Sequence, residues 1–154
     1  MGRYCVVVLS LLTAFGLVAS NNLARAADFK FCSDYESTAA DKVKLAKQFN
    51  CGFTGPRWIK NADTHLAWCL IADQNAAQAE TDARATDLKG CTCQWYADQT
   101  MVQIATNIAN KCGFTGLRWI DDKKAHYDWC ANFNPGLPAM MGEMEARKAQ
   151  LKGC

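Results

Sequence analysis

Between Asp34 and Asn50 the positions Tyr35, Ala39, Val43, Ala46 and Phe49 recur every three or four residues, the stripe of an amphipathic helix. Tyr96, Thr100, Ile104 and Ile108 repeat it later in the chain. Second helices are predicted over 63–72 and 123–132, with Asn61 or Asp63 as the first one's N-cap, and third helices over 76–89 and 139–152. Gly52 and Gly113 are placed as the residues that stop the first helix of each set, and Gly55 and Gly116 give freedom to the loop that follows. In the third helices Glu80 and Arg84, like Glu143 and Arg147, stand four apart and read as surface ion pairs. No stretch shows β-branched alternation, so strands are not expected.

These helices fall into two sets because the chain is duplicated. Cys51–Cys69 reads CGFTGPRWIKNADTHLAWC and Cys112–Cys130 reads CGFTGLRWIDDKKAHYDWC, identical at 11 of 19 positions and 61 residues apart. Cys32 and Tyr35 match Cys93 and Tyr96 at the same offset. ETDARATDLKGC at Glu80–Cys91 matches EMEARKAQLKGC at Glu143–Cys154 at an offset of 63, so the second copy carries two extra residues near Asn134–Pro138. Trp95 has no match, since Asp34 stands there in the first copy.

The N-terminus changes the count of cysteines and charges. Arg3, the apolar run Cys5–Ala19 and the Ala24-Arg25-Ala26 end read as a secretory signal over 1–26, which would take Cys5 with it and leave eight cysteines. Removing Arg3 and Arg25 leaves 15 basic residues against 15 acidic, with no run of one sign. Nucleic acid is therefore not an expected partner. After residue 26 no apolar run reaches the ~20 residues of a membrane span.

In an exported chain, eight cysteines at repeated spacings read as a disulfide framework, which modules of about 60 residues need because their cores are small. Cys32 and Cys51 bracket the first helix and would lie ~28 Å apart, too far to bond. An up-down-up bundle brings Cys51 and Cys91 to one pole, and Cys32 and Cys69 to the other. The expected pairs are thus Cys32–Cys69, Cys51–Cys91, Cys93–Cys130 and Cys112–Cys154.

The other matched residues carry the candidate chemistry. His65 and Cys69, like His126 and Cys130, stand four apart and could present two ligands to zinc. The oxidising compartment, the lack of a C-x2-C knuckle and the use of all eight thiols in bridges argue against this, so no metal or cofactor is expected. His65 near Asp63 or Glu80 could act as a general base, which keeps open a small hydrolase using His65 or His126. No shared nucleophile accompanies either histidine, so no catalytic residue is assigned. Arg57, Trp58, His65 and Trp68, with Arg118, Trp119, His126 and Trp129, form a candidate ligand-binding set. Indoles stack on sugar rings and arginine grips carboxylates. The alternative use of these residues is structural, with the indoles filling a small core and the arginine capping the first helix.

The string C-G-F-x-G-x-R-W followed by H-x2-W-C, with a tyrosine after the first cysteine and E-x2-A-R-x3-L-x2-C at the end, resembles a cysteine-rich repeat in predicted exported proteins of alphaproteobacteria. The resemblance covers nearly all of the chain after residue 26 and implies export, disulfides and the repeat boundaries, but no activity. Leu117 departs from Pro56 of the first copy.

The expectation is an all-α protein with a signal at 1–26 and two tandem disulfide-stapled three-helix modules at 27–91 and 92–154. Its expected role is a non-catalytic periplasmic or secreted binder of envelope glycan or another envelope component. A structural or inhibitory protein that contacts another exported protein is the alternative.

Overall fold

The computed structural model describes residues 27–133 and 135–154; the expected signal lies outside them. Five α-helices and no strand occur among the described residues: α1 (Phe29–Gln48), α2 (Ala62–Ile71), α3 (Gln74–Ala109), α4 (Lys123–Phe133) and α5 (Gly136–Lys152). Short 3₁₀ turns at Pro56–Trp58 and Leu117–Trp119 precede α2 and α4. No described helix is long and apolar enough to cross a membrane.

Side chains set the starts of four helices. Asp28 accepts from the Phe31 amide at 2.8 Å, Asn61 from Asp63 at 3.0 Å, Asp73 from Ala76 at 2.9 Å and Asp122 from Ala125 at 3.2 Å. Asp28 explains why α1 begins five residues before the apolar stripe suggests. The stops differ from expectation. The left-handed residues that end α1 and α3 are Asn50 (φ 52°) and Lys111 (φ 57°), not Gly52 and Gly113. In each, the next amide reaches back five residues, Cys51 to Ala46 and Cys112 to Asn107, which is a Schellman closure.

The largest departure is α3. The third helix expected in the first copy and the first helix of the second are one 36-residue helix, ~54 Å long, that runs through Cys91-Thr92-Cys93. No proline interrupts this stretch, and Gly90 alone does not break a helix whose two halves are both packed. α1 packs on α2 and on α3, and α4 and α5 also pack on α3. One helix therefore serves both copies.

The four bridges are the pairs expected from helix geometry: Cys32–Cys69, Cys51–Cys91, Cys93–Cys130 and Cys112–Cys154, with Cα separations of 5.4–5.7 Å. Cys91 and Cys93 share α3 yet serve different copies. Two residues along a helix turn by ~200°, so their side chains leave on opposite sides. Trp95 packs edge-on against Phe49, with ring centres 4.8 Å apart, and so ties α3 to the end of α1.

Candidate functional site

Each candidate set is organised by an arginine expected at the surface. Arg84 is 2% exposed and Arg147 1%, both buried within their copies. Arg84 Nε donates to the Arg57 carbonyl at 3.0 Å, and its Nη2 donates to the Tyr35 hydroxyl at 2.9 Å and faces His65 Nδ1 at 3.3 Å. Its guanidinium also lies over the Tyr35 ring, 5.0 Å from the centre. Arg147 repeats this with the Arg118 carbonyl at 2.9 Å, the Tyr96 hydroxyl at 2.8 Å and the Tyr96 ring at 5.4 Å. The surface pairs Glu80–Arg84 and Glu143–Arg147 are therefore corrected: each arginine turns inward to satisfy the loop carbonyl and the tyrosine.

The histidines hold the same loop through a second carbonyl. His65 Nε2 lies 2.8 Å from the Ile59 carbonyl, and His126 Nε2 lies 2.9 Å from that of Ile120. A carbonyl only accepts, so in both rings Nε2 carries the proton. In His65 the other nitrogen accepts from Arg84, so both ring nitrogens are engaged. Burial pushes the pKa of His126 below its ordinary value, and the charge of Arg147 adds to the effect. These bonds take up carbonyls left over at the end of each 3₁₀ turn.

Glycine makes the loop possible. Gly55 (φ 88°, ψ 179°) and Gly116 (φ 90°, ψ −177°) occupy a region that only glycine enters readily. The Trp58 amide returns to the Gly55 carbonyl at 3.0 Å and Trp119 to Gly116 at 2.9 Å, which closes each turn.

Arg57 pairs with carboxylates instead of capping the first helix. Its Nε and Nη2 grip both oxygens of Glu80 at 2.9 and 3.1 Å, and Nη1 donates to Asp87 at 3.0 Å. Arg118 grips Glu143 in the same bidentate way, at 2.9 and 3.0 Å. Hydrogen bonds from these arginines hold Glu80 and Glu143 below the usual carboxylate range, against the opposing effect of burial. The glutamates thus pair with loop arginines, across 23 and 25 residues of chain.

In the first copy, Arg57, Trp58, His65 and Trp68 all line one open concavity of about 560 Å³, together with Tyr35 and Arg84. Trp68 is 37% exposed and tilts on Tyr35, with ring centres 5.6 Å apart. Trp58 is half-buried and stacks on Phe53 at 4.3 Å. In the second copy, Arg118, His126 and Trp129 line a concavity of about 400 Å³ with Tyr96 and Arg147. Trp129 tilts on Tyr96 at 5.2 Å. Trp119 does not line it: only 7% exposed, it stacks on Phe114 at 5.1 Å and donates from Nε1 to Gln150 at 3.1 Å.

Cys69 and Cys130, the partners of the histidines in a possible zinc site, are spent in bridges to Cys32 and Cys93. Among the described residues no cluster of three or more histidine, cysteine or acidic side chains is placed to hold a metal ion. Sequence reasoning missed Tyr35, Arg84, Tyr96 and Arg147 as members of the two sites. The comparisons with protein families, with curated proteins and with solved structures find no match to this chain.

Proposed function

We propose that this protein is exported to the periplasm or beyond, and that its two concavities bind a glycan of the cell envelope without catalysis. The observation that carries this reading is the placement of Trp68. A small disulfide-stapled domain gains most by burying its largest side chain, yet this indole stays 37% exposed on the wall of a concavity. The hydroxyls of Thr54 and Thr64 and the ion-paired rim of Arg57, Glu80 and Asp87 surround it. A half-exposed ring beside fixed polar groups is the composition that stacks on a sugar and hydrogen-bonds its hydroxyls. Trp129 lines the second concavity beside the Arg118–Glu143 ion pair, without the threonine hydroxyls of the first, and two weak sites along one continuous helix suit a repeating polymer through avidity.

The secretory reading of residues 1–26 and the four disulfides support export to an oxidising compartment. A hydrolase centred on His65 is disfavoured because a base needs a free nitrogen, and both of His65 are engaged within the protein. Co-sedimentation with purified peptidoglycan sacculi tests the proposal. Wild type should pellet, whereas a Trp68→Ala/Trp129→Ala double variant with unchanged helicity and disulfides should stay in solution. Wild type that stays in solution at every salt concentration would overturn it.

A further inference from the structure

The two concavities differ in charge, and one substitution between the copies accounts for it. The first is lined by Arg57, Arg84, Glu80 and Asp87, which cancel. The second is lined by Arg118, Arg147 and Glu143 and keeps one positive charge. At the offset of 63, Gln150 stands where Asp87 stands in the first copy. Asp87 accepts from Arg57 Nη1, but Gln150 accepts instead from the Trp119 indole. Arg118 Nη1 therefore has no acceptor among the described residues.

A second, independent observation points the same way. The Nη1 of Arg147 is buried and has no hydrogen-bond partner among the described residues, in a side chain that lines this concavity. Arg84 also reaches His65, whereas the bonds of Arg147 go to Tyr96 and the Arg118 carbonyl. An unneutralised guanidinium behind the wall and a free donor edge at the rim together favour an incoming anion.

Building on the glycan reading, we propose that the concavities are specialised. The second takes an acidic sugar residue, whose carboxylate is held by Arg118 with the charge of Arg147 behind it, while its ring lies on Trp129. The first takes a neutral sugar, because each of the three guanidinium nitrogens of Arg57 already donates to a carboxylate. The identity of residue 87 or 150 sets the difference.

N-acetylmuramic acid and N-acetylglucosamine are a suitable pair of probes, since they differ by one carboxylate-bearing ether group. Indole and arginine side-chain NMR signals report each concavity separately. Trp129 should respond to the acid about tenfold more tightly than to the neutral sugar, the size of one charge-assisted hydrogen bond. Trp68 should show no such preference. The preference should shrink on raising salt from 50 to 300 mM. Gln150→Glu keeps an acceptor for Trp119 and adds the missing charge, so it should abolish the preference, and Asp87→Asn should create one at Trp68. Equal response of Trp129 to both sugars, or a preference unchanged by Gln150→Glu, would overturn the specialisation. If neither sugar moves either indole, the glycan reading fails, and acetate then decides the anion site by itself. A shift of the Arg118 signal without one at Arg57 would uphold it, and no shift would refute it.

Discussion

Arg84 and Arg57 meet across 27 residues of chain, with the buried guanidinium of one donating to the backbone carbonyl of the other at 3.0 Å. Arg147 and Arg118 meet in the same way at 2.9 Å. The loop that carries the candidate site is thus held by a side chain from α3 or α5 and by the histidine on α2 or α4. Replacing Arg84 by methionine keeps the volume but strands the Arg57 carbonyl, the Tyr35 hydroxyl and His65 Nδ1. It should cost roughly 2–4 kcal/mol in urea unfolding of the oxidised protein. Arg147→Met should cost less, because Arg147 serves one partner fewer and already leaves a buried donor unmet. Arg57→Ala, which breaks only half-exposed pairs, should cost roughly 1 kcal/mol or less.

Gly55→Ala should destabilise the first copy by roughly 1–3 kcal/mol, since φ 88° with ψ 179° is strained for any residue with a Cβ. No atom crowds that position, so the cost is conformational alone. Gly116→Ala should match it, and thermal unfolding of the two variants checks both.

The bridges close loops of similar length, 37 and 40 residues apart in the first copy and 37 and 42 in the second. Removing Cys32–Cys69 as a double serine variant should therefore cost about as much as removing Cys93–Cys130, roughly 2–4 kcal/mol each. Peptide mapping should find no bridge between the copies, since Cys91 and Cys93 leave α3 on opposite sides.

Stability should fall with pH in two stages. The folded state lowers the pKa of His126, so the unfolded chain binds its proton first and stability declines below the ordinary histidine value of 6.5. Glu80 and Glu143 are also lowered, so their contribution is complete above 4.5 and lost at more acid pH. His126→Gln should remove the first stage and leave the second, as read by unfolding midpoints between pH 8 and 3. A first stage unchanged in that variant would contradict the buried neutral histidine.

Much of this architecture was legible because helix lengths and cysteine spacings constrain each other. The separation of Cys32 and Cys51 by a whole helix leaves few pairings that two poles can satisfy. The continuous α3 was not legible, because a glycine beside two cysteines reads as a joint and only packing on both halves overrides it. Asn50 carried a signal for its left-handed backbone, which asparagine tolerates, but Lys111 carried none. Arg84 was misread because charged residues four apart usually pair at the surface. Its position held the clue: Ala77, Arg84 and Leu88 share one stripe of α3, and all three are buried. In α5, Met140 and Arg147 repeat the buried spacing of seven. Of the candidate binding residues, the histidines proved to be loop clamps, and Trp119 a stacked and hydrogen-bonded packing residue. Trp58, Trp68 and Trp129 remain as the indoles that line the two concavities.

The measurement that bears most directly on the binding proposal is titration of the indole N–H signals with soluble peptidoglycan fragments. The signals of Trp68 and Trp129 should shift in a saturable way, and those of Trp95, half-buried against Phe49, and of buried Trp119, neither of which lines a concavity, should shift far less. Indole signals that stay fixed at millimolar fragment, or shifts confined to Trp95 and Trp119, would contradict binding at the two concavities.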